Sequence, residues 1–355
     1  SRLRTKMAET RKGGGKVSST DVAKLAGVSR SAVSRTFTPG AYVSAETRAA
    51  VTRAADLLGY RPNMMARSLI TNRTNLVGII TTHLGNPFYA TLLEGLIEAL
   101  QSKGLAALTF IADETSNDEQ ISRLLSYQVD ALVLTNTSLS SAMSMRCAQG
   151  ATPVVAINRY FESEQITSVT CDNFAAGEDV ADLFMDMGRK RIAFMAGETD
   201  TSSSRDRERG FVHRLSERNG NLYRRVVGNY DHDDGAIAAR RLLQDPLRPD
   251  AIFCANDLMA FATLDVARKD FELAVPDDLV VVGFDNSDAA KWPAYRLTSV
   301  DQNIEGMIDV AVGEIVGAIA GTATRGQHLQ VAGSLVRRES TGDTSQRLTG
   351  SKTKA

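Results

Sequence analysis

From residue 76 onward the sequence repeats one pattern: a short, nearly continuous apolar run, a polar turn, then a helical stretch. The apolar runs are Leu76–Thr82, Ala106–Ile111, Ala131–Thr135, Val154–Ile157, Arg191–Ala196, Ala251–Cys254 and Leu279–Phe284. Strands that are apolar on both faces belong to parallel sheets covered by helices on both sides. Residues 76–340 exceed what one such sheet needs, so two lobes are expected. Two strand–loop–helix starts look alike, LVGIITTHLGNPFYATLLEGL and RIAFMAGETDTSSSRDRERGF, as two similar lobes facing a cleft would require. Ligands of open α/β sheets sit beyond the carboxyl ends of the strands. The residues that follow the strands are therefore the cleft candidates. They include His83 and Phe88, then Arg205 and Arg207, Asn256, and Asp285 with Trp292 seven residues on.

The N-terminal part reads differently. Residues 1–75 carry 14 Lys/Arg against 4 Asp/Glu, and the remainder carries 27 against 38. A basic segment on an acidic body points to a polyanion as partner. Residues 1–16 lack an apolar period and contain a glycine triplet, which predicts a flexible basic arm. Gly15-Lys16 is not a phosphate loop, because Val17 and Thr10 stand where that motif needs Ser/Thr and Gly. Residues 18–60 predict three short helices. Ser18 caps the first, with Asp21 completing a capping-box-like pair, Val22, Leu25 and Ala26 facing inward, and Gly27 ending it. Ser29 caps the second, Arg30 to about Phe37, with Val33 and Phe37 inward and Pro39-Gly40 as its breaker. Ser44 caps the third, which turns Val51, Ala54, Ala55 and Leu58 inward and stops at Gly59. Two helices joined by a glycine turn with a third across them form a helix-turn-helix headpiece. The second helix is the reader. It exposes Arg30, Ser31, Ser34 and Arg35, groups able to bond base edges and phosphates in the major groove of double-stranded DNA. Ala32 offers only a methyl surface, suited to thymine. Ser18 is a further DNA-contact candidate at the headpiece start.

The segment DVAKLAGVSRSAVSRTF…VSAETRAAVTRAADLLGYRPNMMARSL resembles the headpiece and hinge of the LacI/GalR family of bacterial repressors, without gaps, and the likeness continues more loosely to about residue 340. The resemblance implies an α/β chain with a three-helix headpiece (17–61), a hinge helix and linker (62–75), and a two-lobed periplasmic-binding-protein-like core of parallel sheets flanked by helices (76–340). A polar, disordered tail (341–355) would follow. It places Arg30, Ser31 and Arg35 on base-reading positions and Asn63, Arg67 and Leu69 in the hinge, with Leu69 wedging the central base step of the minor groove. It places Asn158, Arg207, Asn256 and Asp285 on ligand positions of the interlobe cleft, with Arg205 second to Arg207. Phe88 and Trp292 would supply aromatic platforms for a sugar ring. The implied activity is transcriptional repression by a homodimer on a palindromic operator, released when a sugar or sugar derivative binds the cleft. Corepression, in which the ligand strengthens DNA binding, is the alternative. The tail lacks leucine heptads, which favours a dimer over a tetramer.

Other classes fit poorly. No H-E-x-x-H, G-x-S-x-G or G-x-G-x-x-G occurs, so neither an enzyme nor a cofactor is expected. The histidines His83, His213, His232 and His328 are scattered, and Cys147, Cys171 and Cys254 are far apart, so no metal site or disulfide frame is expected. Ser1–Lys16 has no apolar signal region and no apolar stretch could span a bilayer. The expectation is a bacterial cytoplasmic protein, on the nucleoid when DNA-bound, with no membrane partner.

Overall fold

The computed structural model describes residues 17–38, 40–61, 73–81, 84–111, 117–135, 150–198 and 201–342. The expected basic arm, the hinge positions Asn63, Arg67 and Leu69, the cleft candidate His83 and residues 343–355 lie outside the described residues. The chain forms two compact units, residues 1–74 and 75–355.

Among its described residues the first unit holds three helices: α1 (Ser19–Ala26), α2 (Arg30–Thr36) and α3 (Ala45–Leu58). Each begins where a serine hydroxyl accepts a backbone N–H: Ser18 from Asp21, Ser29 from Ala32, Ser44 from Thr47. Ser18 and Asp21 complete a reciprocal capping box. Helices α1 and α3 end at Gly27 and Gly59, whose φ of 67° and 65° lie in the left-handed region that glycine adopts without strain. The core is Val22, Ala23, Val33, Val51, Ala54 and Ala55, with Phe37, Leu58 and Tyr60 packed against it. The inward stripe of α1 is corrected here: Ala23 is buried and Leu25 is exposed, because the short α1 turns its 22–23 edge toward α3.

The second unit contains two six-stranded sheets. The first holds β1 (Leu76–Thr81), β2 (Ala106–Ile111), β3 (Ala131–Thr135), β4 (Val154–Ile157), β5 (Ile166–Cys171) and β11 (His328–Val331) in the order β11-β5-β4-β3-β1-β2. The second holds β6 (Ile192–Ala196), β7 (Leu222–Val227), β8 (Ala251–Cys254), β9 (Val280–Phe284), β10 (Thr298–Asp301) and β12 (Ser334–Val336) in the order β12-β10-β9-β8-β6-β7. The two orders are the same topology, so the lobes are alike, as the paired strand–loop–helix starts suggested. The expectation of parallel sheets needs one correction: β12 runs antiparallel to β10. A strand that arrives directly from the other lobe needs no right-handed crossover, so it is free to pair either way. Of the twelve strands among the described residues, seven were read from sequence; β5, β7, β10, β11 and β12 were not.

Flanking helices are α4 (Pro87–Ser102), α5 (Asn117–Ser126), α6 (Asn173–Asp186), α7 (Ser202–Glu217), α8 (His232–Leu243), α9 (Asp257–Lys269) and α10 (Ile304–Ala320). The chain passes between lobes three times: from β5 into α6, from β10 into α10, and from β11 into β12. The crossings lie together. Asp172 N–H donates to the carbonyl of Val331, and a Cβ on Gly333 would stand 2.9 Å from both Asp301 O and Cys171 Sγ. The second lobe is centred on Phe194, Phe211 and Phe253, with ring centroids 5.1–6.0 Å apart. Residue 341, expected to open the polar tail, belongs to the fold: Thr341 is buried, and its hydroxyl lies 2.7 Å from that of Thr298.

Candidate functional site

Two sets of side chains carry functional potential, one in each unit. In the first unit, α2 exposes Arg30, Ser31, Ser34 and Arg35 along one side, while Val33 and Thr36 are buried on the other. Ala32 is half-buried. The Ser31 hydroxyl lies 2.8 Å from that of Ser29, and Arg35 Nε donates to Ser31 O at 3.4 Å. Arg30 and Arg35 are both exposed, and among the described residues neither guanidinium has an acidic partner. Ser18 spends its hydroxyl on Asp21 Oδ2, 2.7 Å away, and together with the Ser18 N–H this hydrogen bonding holds the Asp21 carboxyl below the usual range. The site reading did not single out Arg48. It reaches from α3 to donate to Thr36 O (2.9 Å) and Ala41 O (3.5 Å). This closes the C-terminus of α2, where carbonyls lack helical partners, and fixes the exposed row against the headpiece core.

In the second unit, polar groups converge beyond the strand ends. Arg207 is 2% exposed despite standing among five consecutive charged residues. Its Nε donates to Asn173 Oδ1 at 2.8 Å, its Nη1 bonds Ala255 O, and its guanidinium lies 3.5 Å over the Phe284 ring. Phe284 ends β9, and the next residue is Asp285, 8% exposed with φ 119°. A non-glycine residue held in that region marks a position where the surroundings impose the conformation. Asp285 Oδ1 accepts from Gln302 Nε2 at 2.6 Å. Burial pushes its carboxyl up to about 8, reinforced by the nearby Asp257 charge; Arg207, Gln302 and Asn86 pull it back. Asp257, pushed up to about 6 by burial, is held in the other direction by Ser299 Oγ (2.6 Å), the Ser287 N–H and hydroxyl (2.8 Å each) and the charge of Arg338.

Groups of the first lobe meet this set. Asn86, which caps α4, reaches the Asp285 carboxyl. Asn158, at φ 66° just after β4, donates from Nδ2 to the Tyr89 hydroxyl at 3.2 Å. That hydroxyl is pushed well above its ordinary range, first by burial and then by Tyr230 and Asp285. At the rim, the Tyr160 N–H donates to Ser202 Oγ at 3.0 Å and Arg159 stands 3.9 Å from Glu198. Among the described residues, three buried oxygens near these strand ends have no hydrogen-bond partner: Thr81 Oγ1, Asn158 Oδ1 and Gln302 Oε1. A buried acceptor left without a donor is costly unless a ligand or water supplies one.

The structure thus gathers Asn158, Arg207 and Asp285. It places Asn256 beside them, where its side chain caps α9 through Met259 N–H and donates to Tyr230 O. Three candidates fall elsewhere. Arg205, with an exposed side chain, pairs with Asp206 at 3.7 Å, because two residues along a helix turn it about 200° from Arg207. Phe88 is buried in the hydrophobic core, its ring edge-on to Tyr89. Trp292 is 57% exposed at the end of the 3-10 turn Asp288–Lys291. Sequence reasoning missed Asn173, Tyr230 and Gln302. Asn173 stands at the strand-to-helix junction after β5, which was the available signal.

The family model for bacterial regulatory proteins of the lacI family matches residues 20–63, and that for a periplasmic binding protein-like domain matches residues 181–341. The HTH-type transcriptional regulator CelR of Thermobifida fusca is 32% identical over 329 residues, covering 90% of this chain and 96% of CelR. The solved CelR–cellobiose complex has a TM-score of 0.70 at 30% identity, covering 92% and 100% of the two chains. The lac repressor dimer bound to operator and the anti-inducer ONPF has the same fold, with a TM-score of 0.83 at 23% identity, covering 92% and 99%. With a three-helix reader in the first unit and two alike lobes in the second, the chain belongs to the LacI family of bacterial transcriptional regulators.

Proposed function

We propose that this protein represses transcription as a homodimer on a palindromic DNA operator, and that a neutral polyhydroxy molecule of the sugar class binds between its lobes and releases it. The observation that carries the ligand class is the chemistry of the cleft. Among the described residues its unpaired buried oxygens are two acceptors and a hydroxyl, and burial favours the uncharged form of its carboxyl Asp285. Such a lining asks for a ligand rich in donors and poor in charge. The relative solved with cellobiose supports the same class. The DNA reading rests on the exposed row Arg30, Ser31, Ser34 and Arg35, with Asn63, Arg67 and Leu69 of the following segment proposed to contact the operator centre. A ligand shifts the equilibrium only through unequal affinity for the two states. Groups from both lobes around one site provide that inequality, since an open cleft cannot offer them together.

The test has two arms. Operators are selected from a randomised duplex library, and binding is read by fluorescence anisotropy. Arg35→Ala should weaken the selected site by about 1–3 kcal/mol and relax its sequence preference; an unchanged preference sinks the reading-helix assignment. Release is then titrated with sugars, polyols, sugar phosphates and purines. A neutral sugar or polyol should release DNA from the wild type and fail with Asp285→Ala. Release only by anionic phosphates would overturn the ligand class, and tighter DNA binding with ligand would replace induction with corepression.

A further inference from the structure

We propose that Arg338 is a positioning residue for the cleft, acting through Asn286 to hold the turn that presents Asp285; its importance for a ligand rests on the cleft reading above. Asp285 and Asn286 follow β9 in succession at φ 119° and 47°, and neither is a glycine. Two such residues in a row persist only where surrounding contacts over-determine the backbone. The Asp285 N–H donates to Val300 O at 2.9 Å. Asn286 is held at three points. Its N–H donates to Ser299 Oγ (2.9 Å), its Nδ2 donates to Asp301 Oδ2 (2.8 Å), and its Oδ1 accepts from Arg338 Nη2 (2.6 Å). Ser287 is held in turn by the Asp257 carboxylate. Of these anchors, Val300, Ser299 and Asp301 lie on the adjoining strand β10 and Asp257 opens α9. Arg338 comes from the segment beyond β12.

Holding a guanidinium there is costly. Arg338 is 5% exposed, and among the described residues no carboxylate pairs with it directly. Burial disfavours its charge, and the Asp257 and Asp301 carboxylates support that charge from a distance. An apolar side chain would fill such a position without the desolvation penalty. The segment also has other means of docking. Two residues on, Ser340 Oγ donates to Val281 O (2.6 Å) and accepts the Thr298 N–H (2.8 Å).

The guanidinium adds a bridge between two places. Nη1 donates to Leu297 O (2.7 Å) just before β10, while Nη2 reaches Asn286 just after β9. The backbone N–H of Arg338 donates to Thr298 Oγ1 (2.7 Å) and fixes the root of the side chain. The strands β11 and β12, which carry the chain from the first lobe to the second, therefore lead into a bond on the residue next to Asp285.

The experiment follows the Asp285 carboxyl by carbon-13 NMR of the full chain labelled at Asp Cγ, with Asp285→Asn assigning the signal. It needs no ligand, so a sugar reading that failed in the release assay would leave this result unmoved. The groups facing the carboxyl are Asp257, Arg207, Gln302, Asn86 and Tyr89. In the wild type, burial should hold its midpoint above the ordinary carboxylate range. Arg338→Met and Asn286→Gly should each free the turn and lower that midpoint by about one pH unit or more. Glycine accepts the left-handed backbone, so Asn286→Gly removes the clamp without adding strain and remains informative if Arg338→Met fails to fold. Ser340→Ala removes a buried contact of the same segment. It should lower stability in denaturant and leave the Asp285 midpoint in place. An ordinary midpoint in the wild type, an unchanged one in folded Asn286→Gly, or an equal fall in Ser340→Ala would overturn the proposal.

Discussion

The headpiece and the two-lobed unit expose their functional groups in opposite ways. On the headpiece, Arg30, Ser31, Ser34 and Arg35 point outward from a core of six small side chains. In the cleft, Arg207, Asp285 and Asn158 are buried, each bonded to other side chains or backbone. The proposed partners account for the difference. A duplex brings its own charge and shape, so the protein need only present a fixed row of donors. A small neutral ligand must be enclosed, so its site needs a large scaffold to hold polar groups away from water.

That contrast predicts unequal responses to substitution. Phe211 sits between Phe184, Phe194 and Phe253; Phe211→Ala should cost the large unit about 3–5 kcal/mol in denaturant unfolding. Val33→Ala empties a fully buried position of the small core and should cost about 2 kcal/mol. Calorimetry should show that loss only in the headpiece transition. A shift in both transitions would mean that the two units unfold as one. The third prediction concerns pH. Asp285 keeps its proton in the folded state up to about pH 8, whereas the unfolded chain releases it near pH 4. Stability of the large unit is therefore greatest at low pH for this group and falls as pH rises through that window. One proton gives at most about 1.4 kcal/mol per pH unit. Asp285→Asn, which resembles the protonated side chain, should flatten that slope without touching the headpiece transition. Ser44→Ala removes the cap of α3 and should cost the headpiece about 1 kcal/mol.

The sequence revealed strands best where both faces are buried. Ala131–Thr135 is buried throughout and reads as one apolar run. Leu222–Val227 is an edge strand with two exposed arginines, and His328–Val331 alternates exposed and half-buried positions, so neither shows that pattern. Ile166–Cys171 is wholly buried but carries Thr167, Ser168 and Thr170, whose hydroxyls broke the apolar run. The site was legible in proportion to locality. Asp285 follows its strand directly and was found. Gln302 reaches Asp285 because β10 lies beside β9 in the second sheet, a pairing that no local period reports. The same holds for Arg338 and Asn286, 52 residues apart in sequence and joined side chain to side chain. Among five consecutive charges, helical rotation alone sends Arg207 inward and Arg205 outward.

The three passages between the lobes have a consequence for synthesis. The first lobe is completed by β11 and the second by β12, so both sheets receive their last strand from residues 328–336. As the chain leaves the ribosome, β1 to β5 emerge first, yet their edge beside β5 stays open until β11 has been made more than 150 residues later. An open, apolar sheet edge invites pairing with other chains. The N-terminal helices, built from local contacts, can fold within the first sixty residues and wait. Newly made chains should therefore pass through a period in which the DNA reader is finished and the part that would control it is not.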